Sequence, residues 1–184
     1  PIDTGRYGTK EMLDIFREQK KIDYQLDIEA AAALSQSEIG LISASIARDI
    51  AKVSKSGKIT AKRIKQLEAK SDHDTAALVE ALAEKCNKES RPWIHYGLTS
   101  NDLVDTSNSM QMRDAIKIIQ PKVSKLSLLL SKNAVKYNNL PAVGRTHGQH
   151  ASIISFGLKF ANWAAEMSTH LERLDEIKKR VLIC

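Results

Sequence analysis

The chain has 184 residues, of which 42% are hydrophobic and only 5% aromatic, and a formal charge of +6. That much apolar material can bury a real core, and the plentiful Ala, Leu, Ile, Lys and Glu favour helix over strand. No apolar run approaches the roughly 20 residues that span a bilayer. The N-terminus, Pro1-Ile2-Asp3-Thr4, lacks the layout of a secretory signal. Cys86 and Cys184 stand far apart without metal-ligand spacing, so a reducing, cytoplasmic setting is expected and no metal is called for. The sequence pI is about 9.3, yet the basic residues are dispersed. Lys52, Lys55, Lys58, Lys62 and Lys65 form one segment and Lys178, Lys179 and Arg180 another, with no aromatic-rich strand, zinc spacing or basic-zipper pattern beside them. Solvated helix faces account for them. Neither nucleic acid nor membrane is expected as a partner.

Gly5 and Gly8 flank Arg6-Tyr7 in an extended entry. Thr9 suits the N-cap of a helix with apolar positions Met12, Ile15, Phe16, Ile22, Leu26, Ala30 and Ala33. Arg6 and Tyr7 read either as the ordinary approach to that helix or as a guanidinium and phenol placed for a phosphate; the residues by themselves favour the former. Ile39, Ile42, Ile46, Ile50 and Val53 suggest a second helix, Ser54–Lys58 with Gly57 a turn, and Thr60 the start of a short helix through Ile64 and Leu67. Ser71-Asp72-His73-Asp74 breaks the pattern before the next apolar stripe, Ala76 to Cys86. On the plain reading Asp72 or Asp74 caps that stripe. On the other, His73 set between two carboxylates has its ring oriented for binding or catalysis.

Arg91-Pro92-Trp93 leads into His95-Tyr96-Gly97-Leu98-Thr99-Ser100-Asn101-Asp102. Apolar steps of three and four from Met112 to Val135 then predict one long helix with a kink at Pro121, stopped by Asn138-Asn139-Leu140-Pro141. Next comes Gly144-Arg145-Thr146-His147-Gly148-Gln149-His150-Ala151, read as a loop between two long helices, a setting in which functional residues concentrate. The plain alternative is a helix–helix turn that happens to contain histidines. A second long stripe runs from Ile153 through Phe160, Trp163 and Leu171 to Val181. Near-heptad spacing over such lengths argues for bundle helices. The expected fold is therefore all-α: a small helical N-terminal domain over residues 1–100, then residues 101–184 as the first two long helices of a bundle. Two helices cannot cover each other's apolar stripes, so the chain is expected to be truncated or to rely on other subunits.

The His95–Asp102 stretch, continued by Leu103-Val104-Asp105-Thr106, and the Gly144–Ala151 stretch together resemble two hallmarks of the adenylosuccinate lyase family. Arg6-Tyr7 and His73-Asp74 fall in the order expected for two more, so the resemblance covers essentially the whole chain. The parent superfamily includes fumarase, aspartase and argininosuccinate lyase. It implies a helical fold with a long central bundle, a homotetramer whose sites draw on three chains, and no cofactor. The Ser-Arg-Asn-Asp type of loop typical of argininosuccinate lyase is not seen. The implied reaction is β-elimination of fumarate from adenylosuccinate, or from the succinylated carboxamide ribotide of purine synthesis.

By this resemblance His147 is the general acid that protonates the departing nitrogen, Thr99 and Ser100 hold the carboxylate beside the carbanion, and Arg6 and Tyr7 contact the nucleotide phosphate. His73 and Asp74 contact substrate. Asp72 stands where the family often has a basic residue, so only its backbone is expected to line the site. His95 shapes the site and Thr146 supports it; His150 and His170 are read as structural. The resemblance places the general base on a serine in a Ser-Ser-x-Met-Pro-x-Lys-x-Asn loop with no counterpart here, so the 184 residues alone are expected to be inactive. A helical interaction module without catalysis is the rival reading.

Overall fold

The computed structural model describes residues 6–181. Its elements are α1 (Lys10–Ile15), α2 (Glu18–Glu38), α3 (Ala44–Ser54), α4 (Ala61–Ser71), α5 (Asp74–Ala83), a single 3₁₀ turn at Arg91–Trp93, α6 (Ser100–Lys136), β1 (Pro141–Thr146), β2 (Gln149–Ser155) and α7 (Phe156–Val181). The chain is thus predominantly helical, as expected. The chain divides into two compact units between Met112 and Arg113, inside α6; residue 100, the boundary expected from the sequence, is where that helix starts.

In the first unit, three helix starts follow from side-chain chemistry. The hydroxyls of Thr9, Ser43 and Thr60 accept the amides of Met12, Ile46 and Arg63, satisfying donors that a helix start leaves free. The single helix expected from Thr9 to Ala33 is two. Its break at Phe16–Arg17 has a tertiary cause: the Ile15 carbonyl accepts the side-chain amide of the buried Gln111 at 2.8 Å, and Arg17 is extended at ψ 144°. The second helix starts later than expected, at Ala44, because α2 ends in a Schellman turn. Gly40 sits at φ +77°, its amide bonds Ser37 O, and the Leu41 amide bonds Gln36 O. Ile39, read as a core position, is 79% exposed in that turn.

α2 to α5 close on one core in which Ile50, Leu67, Leu78 and Leu82 are fully buried, joined by Ile94 and Leu103. Burying each of these side chains contributes about 1.5–3 kcal/mol. Gln19 ties the α3–α4 connection to α2, its side chain donating to Ile59 O at 3.0 Å and accepting from Ala61 N at 2.8 Å.

In the second unit, α6 remains helical through Pro121. The missing amide of that proline leaves the Lys117 carbonyl without its usual ladder partner. α7 runs antiparallel to α6: Gln120 Nε2 donates to Asp175 Oδ1 at 3.0 Å near one end, and Tyr137 stacks on Phe160 with ring centroids 5.8 Å apart near the other. Leu126, Leu129, Trp163 and Ile177 on this pair are exposed.

The segment read as a loop is a two-stranded antiparallel hairpin. Thr146 pairs with Gln149 and Arg145 with His150, leaving His147-Gly148 as a two-residue turn. Both turn residues have positive φ, 50° and 73°, the signature of a type I′ turn whose twist suits a hairpin. The register slips between Val143 and Arg145. Gly144 lies in that slip, where a Cβ would stand 2.8 Å from the Ser152 carbonyl oxygen. Glycine is therefore required there for strand contact, not for loop flexibility.

Candidate active site

Most of the sequence-derived site residues belong to the first unit. The α4–α5 junction holds Asp72, His73 and Asp74. Asp72 ends α4 in the left-handed region at φ 50°. The cap of α5 is neither aspartate but His73, whose Nδ1 accepts the Ala76 amide at 3.2 Å. A ring nitrogen that accepts carries no hydrogen, so this bond selects the form with hydrogen on Nε2. Asp74 Oδ1 stands 3.8 Å from His73 Nδ1 and accepts the Thr75 amide at 2.7 Å. The junction thus orients the ring through a backbone amide rather than by wedging it between carboxylates.

The His95–Gly97 segment is anchored on α2. Glu29 is buried, and both its oxygens go to one residue: Oε2 accepts the His95 amide at 2.9 Å and Oε1 lies 2.6 Å from His95 Nδ1. One α-helical heptad further on, Gln36 Nε2 donates to the Tyr96 carbonyl at 2.6 Å. The Tyr96 ring packs edge-on to Trp93 with centroids 5.0 Å apart. Neither Glu29 nor Gln36 was singled out in the sequence. The available signal was Glu29 itself, a carboxylate at the position where the Ile22–Leu26–Ala33 stripe calls for an apolar side chain.

Thr99 and Ser100 open α6. The Thr99 amide donates to Asp102 Oδ2 at 2.7 Å, the reciprocal half of a capping box. The hydroxyl pair therefore stands at the positive end of a 37-residue helix, where developing negative charge is favoured. Arg6 and Tyr7 lie together, the guanidinium 5.3 Å from the ring centroid, with Tyr7 83% exposed.

Thr146 and His147 belong to the second unit, at the hairpin tip, and both are exposed. Among the described residues, the non-glycine positions with positive φ are Asp72, His95 and His147. All three are residues that the sequence marked for the site. Backbone of this kind costs free energy and concentrates where function over-determines geometry. A cleft of about 430 Å³ at the α6–α7 end, lined by Ala134, Val135, Asn138, Ser155, Gly157, Leu158 and Ala161, contains none of them.

A family model described as "Lyase" matches residues 5–184. The chain belongs to this lyase family. Among similar curated proteins, the adenylosuccinate lyase of Methanocaldococcus jannaschii is 43% identical over 183 residues, covering 100% of this chain and 39% of the relative. The N-acetyl-S-(2-succino)cysteine lyase of Enterococcus italicus is 39% identical over 177 residues, covering 96% of this chain and 39% of the relative. Among solved structures, the fumarate lyase from Mesorhizobium sp. BNC1 superposes with a TM-score of 0.90 at 28% identity, over 100% of this chain and 43% of that one. The chain therefore spans about two fifths of the length of the lyases it matches. No helix among the described residues is long and apolar enough to cross a membrane.

Proposed function

We propose that the protein carrying this chain is a cytoplasmic, homotetrameric adenylosuccinate lyase, acting on adenylosuccinate and on the succinylated carboxamide ribotide of purine synthesis. A base takes a proton from the carbon beside a carboxylate. The electron pair forms the fumarate double bond, the C–N bond breaks onto nitrogen, and the imidazolium of His147 protonates that nitrogen. The barrier lies in placing a carbanion next to an anionic group, so aimed donors have to take up the charge. Thr99 and Ser100 supply hydroxyls, and the start of α6 adds its dipole. Imidazole near neutral pH is well matched to the proton delivery. His73, with hydrogen on Nε2, is a donor to substrate oxygens; Asp74 and the backbone at Asp72 line the same region. Arg6 and Tyr7 take the phosphate, while His95 and Thr146 hold the geometry.

The observation that carries this reading is the 43% identity to an adenylosuccinate lyase across the entire chain. A second reading is favoured by the Enterococcus italicus relative, whose name places the succinyl group on sulfur rather than nitrogen. The succinyl half is common to both, so the carboxylate-binding hydroxyls and the acid serve either. The discriminating assay offers the whole protein adenylosuccinate and N-acetyl-S-(2-succino)cysteine in parallel and follows fumarate. Faster release from the sulfur compound would displace the purine reading. Calorimetry with AMP tests the phosphate assignment: Arg6→Ala weakens binding, and equal affinity would remove Arg6 from the site. The 184 residues alone release no fumarate, because the general base lies outside them.

A further inference from the structure

Glu29 is a buried, ionisable side chain to which the proposed reaction assigns no task. It sits on the core-facing side of α2 at 2% exposure, where an unpaired carboxylate would be costly. Its two oxygens are spent on a single residue, the amide and the ring of His95. That residue is held at φ 62°, a conformation that non-glycine residues rarely adopt. Gln36, on the same face of α2, fixes the next carbonyl in the segment. An ionised carboxylate only accepts hydrogen bonds. With the backbone amide donating to Oε2, the contact at Oε1 requires a hydrogen on His95 Nδ1. Nε2 is then the ring nitrogen left to meet a ligand, and in the neutral ring it carries a lone pair. His73 is the opposite case, since its Nδ1 accepts the Ala76 amide and its Nε2 carries the hydrogen.

We propose that Glu29 is a positioning residue that locks His95 in the Nδ1–H form, so that His95 and His73 present Nε2 atoms of opposite character, one accepting and one donating. The relevance of this pair to substrate rests on the lyase reading; the locked form of His95 rests on geometry alone. A site that moves a proton and orients a polyanion needs both kinds of nitrogen, and a neutral imidazole free to exchange tautomers would supply either at random. Two different partners remove that freedom here, a backbone amide at a helix start for His73 and a buried side-chain carboxylate for His95.

The test is long-range proton–nitrogen correlation of the ¹⁵N-labelled chain, at a pH well above the ordinary imidazole value of roughly 6.5. His95 is expected to show a protonated Nδ1 and a lone-pair Nε2, and His73 the reverse. A hydrogen on His95 Nε2 in the wild-type chain would overturn the proposal, whether the ring is the neutral Nε2–H form facing a protonated Glu29 or an imidazolium paired with an ionised one, because in neither case does Nε2 accept. In Glu29→Gln the preference of His95 weakens while His73 keeps its form, and helical content by circular dichroism is unchanged. A His95 signal unaffected by Glu29→Gln in a folded chain would likewise refute the assignment. In the whole protein the same substitution lowers kcat more than it raises KM, the pattern of a mis-set group rather than a lost contact. If His95 shows the expected form but the protein releases no fumarate from any succinylated compound, the lyase reading falls and the locked tautomer stands.

Discussion

Replacing His147 separates its conformational cost from its chemical use. His147 occupies the first central position of the β1–β2 turn at φ 50°, with Gly148 beside it at φ 73°. An L-residue in this region costs about 1–2 kcal/mol, and glycine removes that cost while losing about 0.5–1 kcal/mol of extra chain entropy. The imidazole is exposed, so little packing is lost with it. His147→Gly is therefore expected to stabilise the hairpin by about 0.5–1 kcal/mol. His147→Asn, which restores the Asn-Gly pair most favoured in such turns, should do about the same. His147→Val should destabilise by about 1–3 kcal/mol, since a branched side chain tolerates this backbone worst. Urea denaturation of the chain, with amide exchange at the hairpin as a local readout, measures all three. In the whole protein, Gly and Asn should each lower turnover by about 10²–10⁴, the usual contribution of a positioned acid. A hairpin weakened by both Gly and Asn would show that the ring holds the turn through contacts and that the strain argument is wrong. Turnover within a few-fold of wild type would remove His147 as the acid.

Gly157→Ala should cost about 1–3 kcal/mol in thermal unfolding, because a Cβ there overlaps the Ala134 carbonyl and lies 3.0 Å from the Asn138 nitrogen, both rigid backbone. Leu82→Ala, at 0% exposure in the first unit's core, should cost about 2–5 kcal/mol by the same measurement. Burial pushes the Cys86 thiol up to about 12 from an ordinary 9.0. The folded form thus retains its proton where the unfolded form loses it. This contribution to stability is fully present below pH 9 and disappears as pH rises towards 12, and thiol reagents at neutral pH should modify Cys86 only on unfolding. Asp72→Gly should stabilise α4's end by roughly 0.5–1 kcal/mol and leave turnover of the whole protein unchanged; a large loss of turnover would assign the Asp72 carboxylate a role its backbone cannot fill.

Helix starts were legible in the sequence because they depend on neighbours: Thr9 and Thr60 each bond an amide three residues on. The break after Ile15 was not, because its cause is Gln111, 96 residues away. The hairpin escaped for a different reason. Its strands are short and lie between two long helical stripes, and its turn is His-Gly rather than the Asn-Gly or Asp-Gly pair that announces a hairpin. At the candidate site, motifs singled out the residues proposed to carry chemistry, but the elements that hold them were hidden. A histidine acting as an N-cap is not among the residues that usually do so. Glu29 could have been found only by asking why a carboxylate interrupts an apolar stripe.

These failures share a physical origin that bears on function. Asp72, His95 and His147 each occupy backbone that a local reading assigns to glycine or asparagine, so local propensity predicts something else at each. Two of the three carry imidazoles, and the segment bearing His95 is clamped by side chains from another helix while His147 rides on a paired turn. At about 1–3 kcal/mol per strained residue, against a total stability of about 5–15 kcal/mol, such positions are not neutral. They persist only if the surrounding bonds hold them and something other than folding favours them. On the proposed function a lyase site supplies that second condition at the histidines, which need fixed rings, but not at Asp72, of which that proposal uses only the backbone. Strain that can be relieved without loss at Asp72, yet only with loss of turnover at His147, would mark which of these backbones serve the chemistry.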